Sequence, residues 1–319
     1  MRQKRKQVIS ILVQYLHTIN RELAAAPAAF AARADAEYDE KLLRVAKDIY
    51  AHREEHPVIL ISGPSGSGKT TTALKLEALL DSWGCEAHTL SMDNYFHPFD
   101  PEQRERAARG EIDLESPARV DAELLSSQLQ DIIQKKPVPL PKYDFTTSQR
   151  VYPGAVLERK SGDLVIVEGI HALNHDVVQI PDEQSARLYI SVRTRVTDGE
   201  ILLHPAKIRL LRRMVRDRLY RNRSVEETLR LYASVQRGEG LYIMPHKRRA
   251  THEIDTFFAY EIGAYRPLLL QDLLKLEEEL LAPMQDLVQI LREAEPVPEA
   301  CVPRGSMIRE FIGNGQFSY

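Results

Sequence analysis

The chain has 319 residues, of which 43% are hydrophobic and 28% charged, and its formal net charge is −3. These values are typical of a soluble globular protein of one large or two smaller domains, and they exclude a disordered or collagen-like chain. No apolar run approaches the ~18 residues needed to span a bilayer, and the near-neutral charge gives no reason to expect binding to nucleic acid. The two cysteines, Cys85 and Cys301, are too few for a zinc site or a disulfide framework, which fits a reducing cytoplasm.

Residues 1–56 are predicted to form a helical extension before the first clear strand. The first 16 residues begin basic and then turn apolar, as a signal peptide does. However, polar Gln14 interrupts the apolar run, and no small-residue cleavage site follows. We therefore expect an amphipathic N-terminal helix in a cytoplasmic protein.

Strand and helix patterns alternate after this extension. Short apolar runs bounded by turn residues predict buried strands at 58–61, 86–91, 163–167 and 187–192. Helical spacing of apolar residues predicts helices at 71–83 and 121–134. This alternation is typical of an α/β fold in which helices cover both faces of a parallel sheet.

The second half of the chain is mainly helical, and helices are predicted at 207–223, 225–237 and through most of 257–292. Proline-containing segments at 137–141 and 296–303 predict loops, and the basic run at 245–249 predicts a solvated loop. Residues 273–281, rich in leucine and glutamate, are assigned first to the core. Their alternative assignment is a self-association helix of a homo-oligomer.

The most specific signal is a glycine-rich segment that follows the first strand and opens a helix. It matches G-x-x-x-x-G-K-[ST] in full and consists of Gly63, Pro64, Ser65, Gly66, Ser67, Gly68, Lys69 and Thr70. In such a loop, backbone N–H groups point at phosphate oxygens, helped by the positive end of the helix. Lys69 would reach the β- and γ-phosphates, and the Thr70 hydroxyl would bind Mg²⁺. We therefore predict a nucleoside-triphosphate site.

Two carboxylates are expected at the carboxyl ends of strands, where ligands bind in open α/β sheets. Asp93 follows the second strand and Glu168 follows the third. Phosphoryl transfer needs a group that accepts the proton of the attacking hydroxyl, and acids that hold Mg²⁺. We assign Asp93 to the first role and Glu168 to the second. An acid after a strand can also simply cap the next helix, but a phosphate loop beside both of them favours function.

Residues 204–223 contain eight basic residues against one acid, Asp217, which gives +7 locally and −10 elsewhere because the total is −3. Four arginines recur every three or four residues and so share one helix face: Arg209, Arg212, Arg213 and Arg216. The segment could be a solvated face, a nucleic-acid patch, or an arginine-rich lid over ATP that excludes water. Because no aromatics are interleaved, the nucleic-acid interpretation is the weakest and the lid, at about 204–240, the most economical.

A third cluster, residues 142–150, combines Tyr143 and Phe145 with polar and charged neighbours. Such a cluster could stack on and hydrogen-bond a ring-shaped substrate. Taken alone, it fits a surface loop with packed aromatic side chains better.

Five segments occur in a set order: GPSGSGKTT, SMDNYF, PKYDFTTSQR, LVIVEGIHALN and IRLLRRMVRDRLYRNR. In this order they resemble the uridine kinase/phosphoribulokinase family over roughly residues 57–262. Within the family the likeness is greatest to bacterial nucleoside kinases, whose C-terminal segment resembles SMIREFIGNG of this chain. The resemblance implies a P-loop NTPase fold with an arginine-rich helical lid. It also implies ATP- and Mg²⁺-dependent transfer of the γ-phosphoryl group to the 5′-hydroxyl of a nucleoside.

The resemblance implies roles for single residues as well. The catalytic set is Asp93, which matches the family's base, with Lys69 and Arg216. The magnesium-associated set is Thr70, Asp93 and Glu168. ATP would be bound by the phosphate loop with Thr71, Arg209 and Arg213. The acceptor would be bound by Asp93, Tyr95, Glu115, Tyr143, Ser148, Arg150 and Arg223.

Two positions depart from the family's pattern. Uridine kinases carry a pyrimidine-contacting histidine where this chain has Ser148, and the shorter hydroxyl cannot reach as far. Glu115 stands where uridine kinases usually carry aspartate, so its carboxylate lies on an arm one methylene longer. Both changes affect which acceptor molecule the site would recognise.

Two other functions compete with a nucleoside kinase. One is a P-loop kinase for another hydroxyl compound, such as a sugar phosphate or pantothenate, and the other is a nucleotide-binding regulator without transfer. Asp93 and Glu168 argue against the regulator, because a pure binder needs no base beside the γ-phosphate. The sequence contains no N-K-x-D motif for reading guanine, which makes a GTPase less favoured. The ten histidines lack metal-ligand spacing, so we expect them at the surface or packed.

The expected organisation has three parts: an N-terminal helical extension (1–56), a P-loop kinase domain (57–262) and a C-terminal helical segment and tail (263–319).

Overall fold

The computed structural model describes residues 12–317. Its strands are β1 (Val13–Tyr15), β2 (Val58–Ser62), β3 (Ala87–Ser91), β4 (Val138–Pro139), β5 (Lys142–Asp144), β6 (Gln149–Val151), β7 (Val156–Leu157), β8 (Leu164–Glu168), β9 (Ser185–Ser191), β10 (Arg195–Thr197), β11 (Leu202–Leu203) and β12 (His252–Asp255). Its α-helices are α1 (Leu16–Ala25), α2 (Pro27–Ala51), α3 (Lys69–Ser82), α4 (Pro101–Ala108), α5 (Ala122–Ile133), α6 (Pro205–Tyr220), α7 (Val225–Gly238), α8 (Glu261–Leu273), α9 (Glu278–Leu281), α10 (Gln285–Glu293) and α11 (Arg309–Ile312).

The central sheet has five parallel strands in the order β12–β9–β2–β8–β3. Both faces of β2 are buried: Val58 and Leu60 belong to one apolar cluster, and Ile59 and Ile61 to another. A strand covered on both faces needs a continuous apolar run, which is what this segment has. The predicted α/β fold, with helices on both faces of a parallel sheet, is confirmed.

The register of the sheet places the carboxyl ends of three strands side by side. Ile61 of β2 pairs with Glu168 of β8, and Glu168 pairs with Ser91 of β3. The phosphate loop follows β2 and Asp93 follows β3. Both therefore lie at the carboxyl ends of the strands, where Glu168 ends β8.

The four predicted strands are confirmed with small shifts at their ends, and Glu168 closes β8 instead of following it. The prediction missed β12, which pairs with β9 at one edge of the sheet. The loop predicted at 137–141 was wrong in part, because Val138–Pro139 pairs with Val156–Leu157. This strand is only two residues long, too short for an alternating pattern to mark it.

The predicted amphipathic N-terminal helix lies largely in residues 1–11, outside the described part of the chain. Its described end was predicted wrongly, because Val13–Tyr15 is a strand that pairs with β10. Valine and tyrosine favour a strand once a partner strand is present, and that partner lies 182 positions further along the chain. The helices α1 and α2 confirm the rest of the extension, and Pro27 opens α2, where its missing N–H costs nothing.

Both flanking segments share the core of the central part. Tyr38 and Leu42 of α2, Leu269 of α8 and Leu291 of α10 are fully buried in the same cluster as Ile61. The division of the chain at residues 57 and 262 stays a prediction. Over residues 12–317, no helix has the length and apolar character that crossing a membrane requires.

The basic run at 245–249 is a short 3₁₀ helix and not the solvated loop we predicted. The guanidinium of Arg249 donates to the Leu173 carbonyl at 2.8 Å and pairs with Asp182. Residues 273–281 contribute Leu273 to the core, which agrees with their first assignment.

Candidate active site

The phosphate loop is held in a turn that its glycines make accessible. Gly68 has φ +86° at the residue before α3, and a Cβ there would lie 2.1 Å from Sδ of Met307. A side chain at this position is therefore excluded by the backbone and by packing. The Ser67 hydroxyl is buried and has no hydrogen-bond partner among residues 12–317. An unsatisfied hydroxyl donor in a phosphate loop can donate to a phosphate oxygen.

Lys69 and two carboxylates meet where the strands end. The Lys69 ammonium donates to the Pro64 carbonyl at 3.4 Å, which folds the side chain back over the loop. Burial raises the pKa of Glu168 to about 7, against the opposing charge of Lys69 and with a smaller contribution from Asp93. The sequence prediction that these groups lie together is supported by this electrostatic coupling.

Asp93 lies in a short 3₁₀ turn, Met92–Tyr95, directly after β3. Its side chain reaches solvent, but the surrounding protein removes enough water from the carboxylate to raise its pKa, while Lys69, Arg221 and Arg216 oppose the shift. A carboxylate with a raised pKa beside cations is suited to accept a proton from a hydroxyl.

The residues proposed for Mg²⁺ suit that ion chemically. Thr70 is half-buried in the first turn of α3, and Glu168 is buried across the cleft. A hydroxyl and a carboxylate are hard oxygen ligands, which Mg²⁺ prefers.

The helix α6 holds the phosphate loop through its arginines. The Arg209 guanidinium donates to the Ser65 carbonyl at 3.0 Å and forms a two-pronged ion pair with Glu239, at 2.6 and 2.7 Å. Arg213 donates to the Ser65 hydroxyl at 2.9 Å, and its buried Nε has no hydrogen-bond partner among the described residues. Both arginines therefore lie where ATP phosphates are predicted.

Arg212 contacts the same loop from the protein core. Its side chain is 0% exposed and pairs with Glu261, also 0% exposed, through contacts of 2.7 and 2.9 Å. It also donates to the Gly66 carbonyl at 3.1 Å and to the Thr256 carbonyl. Sequence reasoning placed Arg212 on the face with Arg209 but did not distinguish its buried role.

Four arginines of the basic segment surround one acid. Asp217 is fully buried, and four guanidinium groups lie within 3.6 Å of its carboxylate: Arg213, Arg216, Arg221 and Arg223. We call these four the arginine cluster. It lies close enough to Asp93 for Arg216 and Arg221 to lower that group's pKa. Asp217, the single acid in the +7 segment, thus gathers positive charge beside the predicted base.

An acidic stretch faces the phosphate loop from the other side. Burial raises the pKa of Glu115, with Arg213 opposing, and one oxygen of its carboxylate is buried without a partner in the described chain. A Cβ at Gly238 would lie 2.5 Å from that of Glu115, so the end of α7 packs directly on this stretch. Tyr242, in the π-helical turn that follows, donates to Asp113 at 3.1 Å. The predicted lid segment therefore closes over Glu115.

The hairpin β5–β6 carries the third predicted cluster. Tyr143 is 5% exposed, packs against Phe96 and Phe145, and its hydroxyl accepts from Arg119 at 3.4 Å. The Tyr143 N–H donates to the Asn94 side chain at 3.1 Å, which ties the hairpin to the turn that holds Asp93. Tyr143 is packed, as the residues alone favoured, whereas Phe145 is 65% exposed and that part of the expectation was wrong.

Two other predicted acceptor residues have side-chain partners within the protein, and a third, Ser148, is bonded through its backbone carbonyl. The Tyr95 hydroxyl is buried and donates to Gln128 at 2.9 Å, and Arg150 pairs with Asp121 at 2.9 Å. The Ser148 carbonyl accepts from the Phe99 N–H at 3.0 Å, and Ser148 has φ +53°. Of the predicted acceptor set, Asp93, Glu115 and Arg223 lie with the charged groups around the phosphate loop.

Sequence reasoning missed two residues of this region. His171, three residues after Glu168, is 2% exposed, and its ring lies 6.4 Å from that of Tyr242. Burial lowers the pKa of His171 to about 4, so the imidazole is neutral at pH 7. Glu310, from the far end of the chain, bonds to Thr71 of the phosphate loop. The position of His171 after a strand end was a usable signal. Glu310 lies in the C-terminal segment SMIREFIGNG, which the resemblance singled out without giving any of its residues a role.

A sequence model described as Phosphoribulokinase / Uridine kinase family matches residues 58–257, more than half of the chain. Uridine-cytidine kinase 2-B of Danio rerio is 32% identical over 187 residues, covering 57% of this chain and 66% of that protein, just under two thirds. A uridine kinase of Lactobacillus helveticus is 32% identical over 199 residues, covering 61% and 85%. A solved structure described as a possible uridine kinase from Bacillus stearothermophilus is 24% identical, has a TM-score of 0.39 and covers 48% of this chain and 80% of that one.

Proposed function

Since the chain belongs to the phosphoribulokinase/uridine kinase family, we propose that it is an ATP-dependent kinase that phosphorylates the 5′-hydroxyl of a nucleoside. The observation that carries this proposal is the coupling of Lys69, Asp93 and Glu168 at one edge of the sheet. A nucleotide-binding regulator would need the phosphate loop but no carboxylate with a raised pKa beside it. The names of the relatives, uridine kinase and uridine-cytidine kinase, support a nucleoside as acceptor.

In the proposed reaction the acceptor oxygen forms a bond to the γ-phosphorus. The bond from that phosphorus to the β–γ bridging oxygen breaks, ADP leaves, and the hydroxyl proton passes to Asp93. Lys69, Arg213 and Arg216 stabilise the negative charge on the transferred group, since donors fixed in advance cost no reorganisation. Closure of the segment from α6 to Tyr242 over Glu115 would exclude water from this group.

Thr70 and Glu168, with Asp93 at their side, are the residues proposed to hold Mg²⁺. The ion, when bound, neutralises charge on the phosphate oxygens. Burial raises the pKa of Glu168 to about 7, while the charge of Lys69 opposes the shift. A bound cation favours its ionised form.

Glu115 and Arg223 are proposed to bind the sugar of the acceptor, and Tyr143 to shape the pocket for the base. Glu115 has a buried oxygen with no partner in the described chain, which a sugar hydroxyl can satisfy. Ser148 in place of histidine removes one polar contact to a pyrimidine, so we expect weaker discrimination among bases than in uridine kinases.

Two further expectations belong to this proposal. A cytoplasmic location is supported by the two cysteines, Cys85 and Cys301, both of which are free. A small molecule, and not a nucleic acid, is the proposed partner, because the arginine cluster is folded around Asp217 at the phosphate loop.

A panel of acceptors with ATP, followed by ADP release, tests the substrate class. We expect turnover with one or more nucleosides and little with sugar phosphates or pantothenate. Turnover of sugar phosphates without turnover of nucleosides would contradict the proposal.

The substitution Asp93→Asn tests the chemical step. It keeps the shape of the side chain but removes the proton acceptor, so kcat should fall by at least about 10²-fold, while affinity for ATP stays within a few-fold. Unchanged turnover would rule out Asp93 as the base.

A further inference from the structure

The first turn of α3 carries two donors that face an anion in this structure. Thr71 is the third residue of the helix, in the turn whose N–H groups point out of its N-terminal end. The carboxylate of Glu310 accepts from this N–H at 3.3 Å and from the Thr71 hydroxyl at 2.6 Å. Helix N-termini after glycine-rich loops attract anions, and here the anion is a side chain of the same protein.

The segment that presents Glu310 is fixed in the core. Met307, Ile308 and Phe311 are each 0% exposed, and Met307 packs on Gly68 of the phosphate loop. The Ser306 hydroxyl bonds to that of Tyr260 at 2.7 Å.

Arg309 ties the same segment together. Its guanidinium donates to the Glu299 carboxylate at 2.9 Å and to the carbonyls of Val302, at 2.6 Å, and Gly313, at 3.1 Å. The backbone around Glu310 is therefore immobilised on both sides, and the freedom that remains is in the Glu310 side chain.

Glu310 also brings negative charge to a site built for polyphosphate. It is near enough to Glu168 to help raise that group's pKa. A carboxylate that remained beside Thr71 would occupy donors that a phosphate needs and would repel the phosphate as well.

We propose that Glu310 is a further residue of the nucleotide site, which competes with a nucleotide phosphate for Thr71 and must turn away when ATP binds. This rests on the proposed function only in that a nucleotide binds the phosphate loop. Glu310 thereby sets the affinity for ATP, while the fixed segment behind it keeps the loop in shape.

Calorimetric titration of the full chain with ADP and with ATP, without acceptor, tests the proposal. Glu310→Gln keeps the size of the side chain and removes its charge, so Kd for both nucleotides should fall by roughly fivefold to fiftyfold. Adenosine, which has no phosphate, should bind wild type and variant alike. Glu310→Asp keeps the charge but shortens the arm, and should give a smaller gain.

Glu299→Gln is the matched control, because it removes a carboxylate from the same C-terminal part of the chain without touching Thr71. Its nucleotide affinity should equal that of wild type. Weaker nucleotide binding by Glu310→Gln, or affinity within twofold of wild type, would overturn the competition while leaving the proposed kinase intact. An equal gain in the Glu299→Gln control would overturn it too, because the effect would then come from a loosened segment. Absence of nucleotide binding to wild type and variants alike would overturn both proposals.

Discussion

The arginines of α6 and of the turn that follows it have two different roles in this protein. Arg212 points into the core, where Glu261, Thr256 and the Gly66 carbonyl use its donors. The side chains of the arginine cluster keep between 11% and 51% exposure and share a single acid, Asp217, so in the described chain four cations have one counter-charge. The donors of Arg212 are all used to hold the phosphate loop. The cluster has more positive charge than Asp217 neutralises, and the excess is available to a ligand.

The difference follows from what each guanidinium can reach. A buried charge must be neutralised and hydrogen-bonded inside the protein, since no water is available. A charge at a cleft keeps part of its hydration and can exchange water for phosphate. Substitutions in the two groups should therefore separate stability from catalysis.

Arg212→Met should have the largest effect on stability. It leaves Glu261 buried without its cation, so the free energy of unfolding should fall by about 3–5 kcal/mol. Urea unfolding followed by circular dichroism measures this loss. The double variant Arg212→Met/Glu261→Met should recover part of it, because no unpaired charge remains. A loss below about 1 kcal/mol in the single variant would show that the buried pair does not hold the loop.

Arg216→Ala should reduce catalysis and leave stability nearly unchanged. We expect kcat to fall by about 10²–10³-fold, as for the loss of one donor to a transition state, with the free energy of unfolding within about 1 kcal/mol of wild type. Steady-state kinetics and urea unfolding of the same preparation give both numbers. A variant that unfolds early and keeps its kcat would place Arg216 with Arg212.

Asp35 offers a buried carboxylate that no cation of residues 12–317 contacts. It accepts a hydrogen bond from Tyr260 at 2.6 Å, and burial raises its pKa from 3.8 to about 6. The unfolded chain ionises first as pH rises, so the stability present below pH 4 is lost by about 3 kcal/mol through pH 6. An asparagine side chain cannot ionise, so Asp35→Asn should gain that amount relative to wild type between pH 4 and pH 7 in urea unfolding. A difference that does not change with pH would contradict the shift.

Arg230→Met should have the smallest effect. Arg230 pairs with Glu226 one turn away on α7 at 2.7 Å, and both side chains are about half exposed. Exposed pairs of this kind contribute about 0.3–0.5 kcal/mol, so urea unfolding should hardly change. A loss comparable to that of Arg212→Met would mean that burial is not what distinguishes the two pairs.

Features that depend on neighbours in sequence were predicted well. The phosphate loop, β2 and α3 form one contiguous unit whose glycines and Lys69 have a single structural meaning, and the family followed from five such segments. Edge strands such as β12 and β4 were missed or taken for loops, because a short strand is defined by the partner it pairs with. The packed state of Tyr143 was the favoured interpretation, while its bond to Arg119 depended on a residue 24 positions away.

The sequence by itself determined the parallel sheet, the phosphate loop, and the presence of Asp93 and Glu168 at strand ends, because these follow from local patterns and from how parallel strands align. Only the tertiary structure decided which arginines are buried and which face the cleft. It also decided that Glu310 meets Thr71 across 239 residues of chain. The sequence counts charges and their spacing, but which charges lose their water and which partner each one finds are set by packing.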